Sequence, residues 1–306
     1  MRAILIVVFC VFFLVAGVVY ADEGGIVEPA CKTPYVSLIS ISGDAIRKWE
    51  NVMRYVPERL VLKFRVSFKD AHGFSREDVM NMQGGGFIVG EYLVTVEHIK
   101  TPSPRMLTLL LIAKGHRNFT DVKVKETWFE ILYAGNTLVV GGTDALEFVA
   151  TNEEFHLSLY KLGVAVPPKY KFALPFGDTA CLEIGTAVIL GGNPGAFGRN
   201  FRTGHVSSLR GGKIENVVEE ESSLKKVLEE ATFTVQLPVM PGDSGHPVVS
   251  LTAAGEVVLV GIAFTTVPGA FFSDLHLILR VETVKAFFKK NGIDYKNPKN
   301  NSSAIF

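Results

Sequence analysis

Between residues 59 and 281 the chain is a succession of short runs with a period of two, and this pattern constrains the fold more than any other feature. Leu60, Leu62, Phe64, Val66 and Phe68 alternate with Arg59, Lys63, Arg65 and Ser67. Side chains two apart share one face of a strand, so this run reads as a half-buried strand. Further strand-type runs are GGFIV (85–89), YLVTV (92–96), MLTLLLI (106–112), HLSLYKL (156–162), TAVILGG (186–192), HVSSL (205–209), TFTVQL (232–237) and EVVLVGIAF (256–264). Clusters of Gly, Pro, Asn and Asp separate them. Many short strands with this punctuation predict an all-β barrel or sandwich rather than an α/β sheet. The Pro-containing stretch VAVPPKYKFALPFGD (164–178) divides the strands into two groups.

Two segments change period. Ile46, Trp49, Met53 and Val56 recur at three and four residues, which predicts a short amphipathic helix with Asp44 as N-cap and Pro57 as its stop. VETVKAFFKKNG (281–292) predicts a closing helix that ends at Gly292. The charged stretch 212–231 reads as a solvated insertion with a helical turn.

Composition narrows the function. Thirty-one basic side chains balance 31 acidic ones, which removes the electrostatic footprint of a general nucleic-acid binder. With 48% hydrophobic and only 20% charged residues, the chain has ample material for a core. Part of that apolar content is concentrated in residues 3–21, AILIVVFCVFFLVAGVVYA, behind Arg2. A basic start, an apolar stretch and a small-residue exit predict export, by a signal cleaved before Asp22 or by retention as an N-terminal membrane anchor. Residues 22–57 then form an extension, and the residues after 292 a polar tail. In an oxidising compartment Cys31 and Cys181 are candidates for a disulfide.

Met240-Pro241-Gly242-Asp243-Ser244-Gly245-His246-Pro247 is the most informative stretch for chemistry. A serine between glycines can present its hydroxyl on a tight turn while backbone N–H groups point into the same space. That combination suits acyl transfer, because the N–H pair stabilises the oxyanion as the hydroxyl attacks. A serine nucleophile also needs a base, and His98 follows the strand-type run Tyr92–Val96. No spacing motif for a metal is present, and GGNPGAFG (191–198) lacks both the dinucleotide-binding spacing and a Walker lysine.

Taken together, these blocks resemble the trypsin-like, chymotrypsin-fold serine proteases of the HtrA/Deg type. GGGFIVGEYLVTVEHI (84–99) is similar to that family's G-S-G-F-I…L-T-N-x-H-V segment. GTAVILGGNPGAFGRNFRTGHVSSL (185–209) and PGDSGHPVVS (241–250) resemble its later G-N-P-x-G and P-G-N-S-G-G-P segments. The resemblance covers roughly residues 56–292 and implies two six-stranded antiparallel β-barrels, about 58–165 and 175–281, with a short N-terminal and a C-terminal helix. It implies Ser244 as nucleophile, His98 as general base, and the backbone N–H groups of Gly242 and Ser244 as oxyanion hole. It also implies polypeptide substrates, no cofactor, no PDZ domain in a chain of this length, and a homo-oligomer of the kind common in the family.

The sequence departs from the family at three places. The acidic triad member would open a strand of the form D-L-A-L-L-K, and here the matching residue in HLSLYK is His156. An aspartate fixes the tautomer of the base histidine and stabilises the imidazolium; losing it while geometry persists lowers kcat about 10⁴-fold, or about 5.4 kcal/mol. Four readings stand open. His156 is a true third member; Asp144, Glu153 or Glu154 substitutes; the chain binds peptides with little or no catalysis; or His98, His156 and His246 hold a metal. His246 stands where the family has Gly or Ser and reads as a packing change. Asp243 needs a buried positive partner, which in trypsin-type relatives is a newly cut N-terminus; the sequence names none, which leaves proteolytic activation open.

By the same alignment the substrate pocket has its floor near Pro238 and its wall near Ala263, Phe264, Thr265 and Thr266. An uncharged floor disfavours a basic side chain and favours a small or medium apolar one. The expectation is an exported serine endopeptidase acting on unfolded or exposed polypeptide, with a peptide-binding, weakly catalytic or inactive protein as the alternative.

Overall fold

The structure is a computed structural model that describes residues 34–54, 56–96, 104–133, 136–141, 146–152, 155–162, 174–192, 200–211, 230–240, 242–266 and 275–295. Fourteen strands and three α-helices are defined among them. The N-terminal half holds β1 (Arg59–Lys69), β2 (Ser75–Gly84), β3 (Gly86–Val89), β4 (Tyr92–Val96), β5 (Thr120–Tyr133), β6 (Asn136–Gly141), β7 (Leu146–Asn152) and β8 (Leu157–Leu162). They form two four-stranded antiparallel sheets, ordered β2-β1-β5-β6 and β3-β4-β8-β7. Only Gly85 separates β2 from β3, so one bent strand passes from sheet to sheet; β6 and β7 are likewise successive in sequence, one at the edge of each sheet. With each of these pairs taken as one strand, six strands follow one another in a ring, which reconciles the two sheets with a six-stranded barrel.

The C-terminal half is a closed six-stranded barrel. It runs β10-β11-β14-β13-β12-β9, from β9 (Ala187–Gly192), β10 (Asn200–Ser208), β11 (Thr232–Gln236), β12 (Pro247–Leu251), β13 (Val257–Thr266) and β14 (Leu275–Arg280). The all-β double-barrel expectation therefore holds, because closure leaves few exposed strand edges to manage.

Alternation explains which side chains fill each barrel. Leu60, Leu62, Phe64 and Val66 point inward from β1 and meet Phe129, Ile131 and Tyr160 in the first core. Val188, Leu190, Val206, Phe233, Val235 and Ile278 fill the second. A third cluster lies between them: Phe87, Val94, Leu157 and Leu159 pack with Ile189, Val249 and Leu259. Trp49 and Met53 from α1 (Gly43–Met53) and Val281, Val284 and Phe288 from α3 (Val281–Lys290) join this cluster. This shared core fixes one half against the other.

Three sequence expectations are corrected. Residues 106–112 are not a strand but part of α2 (Pro104–Ala113). Leu and Met are strong helix formers, Pro104 is pre-set for a first helical turn, and Leu107 and Leu111 lie four apart on the buried face. Burying those two leucines contributes about 2 kcal/mol each. The cap of α1 is Ser42, whose Oγ accepts from the Ala45 N–H at 3.2 Å, not Asp44, which pairs instead with Arg47. Ile46, expected on the buried face of α1, is exposed.

The closing helix α3 stops where expected, with Gly292 at φ 71°. At its other end Glu282 accepts from the Thr179 N–H at 3.0 Å and from the Thr179 hydroxyl. Cys181 is disulfide-bonded, and the other half of the bridge lies outside the described residues. The apolar stretch 3–21 and the charged insertion 212–229 are likewise outside them. No helix among the described residues is long and apolar enough to cross a membrane.

Candidate active site

Ser244 sits on a turn pinned from both halves of the molecule. Asp243 N–H donates to the Met240 carbonyl at 3.0 Å, closing the turn, and Gly242 has φ 99°. Gly245 follows with φ 92°, a left-handed backbone that only glycine adopts at little cost. The Gly85 N–H, at the β2–β3 bend, donates to the Ser244 carbonyl at 2.7 Å. The Gly245 N–H donates to the Ala263 carbonyl of β13 at 2.8 Å. A Cβ on Gly245 would overlap the Gly85 carbonyl, so the close approach needs glycine there as well. Thr95 Oγ1, buried on β4, donates to that same Gly85 carbonyl at 2.7 Å.

These bonds use the Ser244 carbonyl and the Gly245 N–H and leave others open. Neither the Gly242 nor the Ser244 N–H donates to another described residue, and Ser244 Oγ makes no hydrogen bond among them. Ser244 is half-buried. A half-buried hydroxyl beside two unspent backbone donors has the makings of a nucleophile with an oxyanion site.

Asp243 and His246, flanking the turn, are fully buried. The Asp243 carboxylate faces Arg202 of β10: Nη2 donates to Oδ1 at 2.7 Å and Nη1 to Oδ2. Arg202 Nη1 also donates to the Pro238 carbonyl at 3.1 Å, and the Met240 N–H donates to Asp243 Oδ2 at 2.6 Å. The positive partner that the sequence did not name is thus an internal arginine. One signal for it was present. On β10, Arg202 shares a face with Gly204 and Val206, both buried, and a cation on an inward face requires a counter-charge.

His246 is more than a packing change. Its Nε2 lies 2.8 Å from the Glu58 carbonyl oxygen, just ahead of β1, and its Nδ1 lies 3.1 Å from the Asp243 carbonyl oxygen. With both ring nitrogens against carbonyls, the ring is not presented to an ion. Gly85 and Gly192 make room for it; a Cβ on Gly85 would overlap the ring, and one on Gly192 would stand 3.0 Å from it. Burial pushes the His246 pKa below its ordinary 6.5, against the opposing pull of the Asp243 carboxylate and the two carbonyls. Among the described residues no group of three metal-binding side chains forms.

His156 opens β8 from a turn, with φ 50°. Its neighbour Leu157 pairs with Val96, the last residue of β4, so His156 sits at the end of the sheet where the chain leaves β4 toward His98. The His156 ring lies 5.6 Å from that of Phe264 on β13. The structure thus brings the third-member position against the proposed pocket wall. His98, Asp144, Glu153 and Glu154 lie outside the described residues, as does Pro241.

Of the remaining pocket positions, Pro238 is exposed and Thr265 and Thr266 pair with Leu277 and His276 of β14. The Ala263 side chain belongs to the second barrel's core, so only its backbone faces the Ser244 turn.

No protein-family model matches the chain, and no curated protein matches it in sequence. The solved structures do show a likeness. One is an HtrA-type protease, AlgW, determined with a decapeptide; it is 15% identical, covers 79% of this chain and 67% of its own, and superposes with a TM-score of 0.52. At that identity the likeness speaks for architecture, and this chain has the trypsin-like double-barrel fold of an HtrA-type protease.

Proposed function

We propose that the chain is an exported serine endopeptidase that cleaves unfolded or exposed polypeptide. The observation that carries this reading is the Ser244 turn, tied to Gly85 and Ala263 with the Gly242 and Ser244 N–H groups left unspent among the described residues. In this reading Ser244 Oγ attacks the substrate carbonyl carbon and passes its proton to His98. The carbonyl oxygen becomes an oxyanion between the Gly242 and Ser244 N–H groups. The amide bond then breaks as His98 returns the proton to the leaving amine. Water, deprotonated by His98, hydrolyses the acyl-serine and regenerates the hydroxyl. In this reading His156 is the third member and orients His98. The decapeptide belongs to the AlgW structure, and its chemistry agrees with a polypeptide substrate here.

Export is supported by the apolar residues 3–21 and by the disulfide at Cys181, which suits an oxidising compartment. Whether the apolar segment is cleaved or anchors the chain decides between a free and a membrane-tethered enzyme. Self-association into a homo-oligomer belongs to the same proposal.

A second reading has one specific observation behind it: a histidine stands where the triad carboxylate belongs. On that reading the cleft holds peptides and hydrolyses them weakly or not at all. The deciding experiment is fluorophosphonate labelling of the purified protein across pH 5–9, with Ser244→Ala as control. Labelling that disappears in the control supports the endopeptidase. Folded protein that takes no label at any pH supports the peptide-binding reading.

A further inference from the structure

The Asp243–Arg202 contact has a consequence for how the Ser244 turn is assembled. Asp243 is 0% exposed and Arg202 11%, so the pair is sheltered from water. A buried carboxylate without a cation is strongly unfavourable, and the turn's geometry depends on where that carboxylate is held. Oδ2 takes the Met240 N–H, Oδ1 takes Arg202 Nη2, and the same guanidinium holds the Pro238 carbonyl. Two points on the segment 238–243, the Pro238 carbonyl and the Asp243 carboxylate, are therefore held by one side chain from a different strand, and the carboxylate in turn holds the Met240 N–H. Arg202 is itself fixed, because β10 pairs residue for residue with β9, placing Arg202 opposite Leu190 inside the closed barrel. The counter-charge is part of the barrel wall and is present as soon as the barrel folds.

We infer that Arg202 is the positioning residue for the Ser244 turn and that the turn assembles in the uncut chain, without a newly generated N-terminus as counter-charge. This rests on the endopeptidase reading only for the turn's use, not for its order. An arginine suits the task better than a lysine. Its planar fork makes two parallel bonds to the carboxylate and still reaches a third acceptor, whereas an ammonium is a point charge with no fixed plane.

The test uses the full chain, its covalent integrity confirmed by mass, with two readouts. Hydrogen exchange reports order in the segment 238–246 against β1 as internal reference, and fluorophosphonate labelling reports the reactivity of Ser244. The uncut wild type is expected to show slow exchange across the turn and to be labelled. Arg202→Met is expected to speed exchange in the turn at least 10-fold with β1 unchanged, and to lower the labelling rate at least 100-fold. Arg202→Lys should restore part of both.

Exchange in the Arg202→Met turn at the wild-type rate would overturn the inference. So would a wild-type turn that becomes protected only after limited proteolysis. If Arg202→Met does not fold, the double variant Arg202→Gln/Asp243→Asn removes the unpaired charge while leaving amide partners. Recovery of the fold with an ordered turn supports the inference, and failure to recover overturns it in favour of general packing. The two readouts separate this inference from the endopeptidase reading. An unlabelled wild type whose turn order still depends on Arg202 refutes the enzyme and keeps the positioning role. A labelled wild type with an Arg202-independent turn does the opposite.

Discussion

The imidazole of His246 joins the two halves of the molecule: Nε2 stands 2.8 Å from the carbonyl oxygen of Glu58, 188 residues away in sequence. The shorter contact fits a neutral ring that donates from Nε2, with Nδ1 turned toward the Asp243 carbonyl. Asp243 and Arg202 are the charged side chains beside it, one pulling its pKa up and the other pushing it down, and burial outweighs both. The folded-state pKa is therefore below 6.5, and the unfolded chain takes up the proton at higher pH than the folded one. Stability contributed by neutral His246 is complete above pH 6.5 and declines as pH falls below it, by at most about 1.4 kcal/mol per pH unit.

The urea midpoint of the wild type is accordingly expected to be level from pH 8 to 7 and to fall from 6.5 toward 5. His246→Gln should lose about 1–3 kcal/mol at neutral pH, since the amide does not reproduce the ring's donation to the Glu58 carbonyl and leaves its own oxygen buried among carbonyls. Its profile between pH 6.5 and 5 should be flatter than the wild type's. An unchanged slope in the variant would mean that other groups carry the acid sensitivity.

Gly85 is the second testable contact of this seam. A Cβ there would run into the His246 ring and also into the His246 backbone nitrogen. A flexible side chain can yield, but backbone held in the Ser244 turn cannot yield without moving the turn. Gly85→Ala is expected to cost about 3 kcal/mol, the upper end of ordinary overpacking, and to lower Ser244 labelling in the protein that remains folded. His246→Gly should not rescue it, because the backbone clash persists. Full rescue by that double variant would show that the ring alone sets the limit.

Much of this arrangement was legible in the sequence, for physical reasons that differ from residue to residue. The period of two in Leu60 to Phe68 specifies both strand and inward face, and β1 follows it. The glycines around Ser244 specify a turn because the backbone there goes left-handed at residues 242 and 245. Residues 106–112 misled because a nearly continuous apolar run carries no clear period, and only the predominance of Leu and Met over the β-branched Thr108 and Ile112 hinted at a helix. β2, with Arg76, Glu77 and Val79 exposed, has too few inward apolar positions to announce itself and is held in place by pairing with β1. The alternation along β10 marks Arg202 as inward-facing, but which group it meets, Asp243, and which carbonyl His246 meets, that of Glu58, are long-range pairings that no local pattern encodes.

The same pair bears on substrate choice. Arg202 donates to the Pro238 carbonyl, so a substrate pocket with its floor at Pro238, as the sequence resemblance implies, has a guanidinium behind it whose charge is matched by Asp243. A cationic substrate side chain would find no free carboxylate there and a cation close by. Cleavage of a peptide library is therefore expected after small or medium apolar residues, with Lys and Arg disfavoured at least 10-fold in kcat/KM at the residue before the cut. A preference for basic residues would place the pocket elsewhere.

His156 offers the sharpest test, because its backbone separates geometry from chemistry. At φ 50° it occupies a region in which Asn, Asp and His are tolerated and Ala pays about 1 kcal/mol in strain. His156→Asn should therefore keep the turn and the fold, while offering no group that can bear or balance charge. His156→Asp keeps the backbone too and supplies the carboxylate that stabilises an imidazolium at His98. If His156 is a working third member, Ser244 labelling should fall at least 100-fold in His156→Asn, about 2.7 kcal/mol of barrier. In His156→Asp it should stay at or above the wild-type rate. Labelling undiminished in His156→Asn would instead assign the third role to another group or to none. An inert wild type that gains labelling only as His156→Asp would identify a peptide-binding protein one substitution away from catalysis.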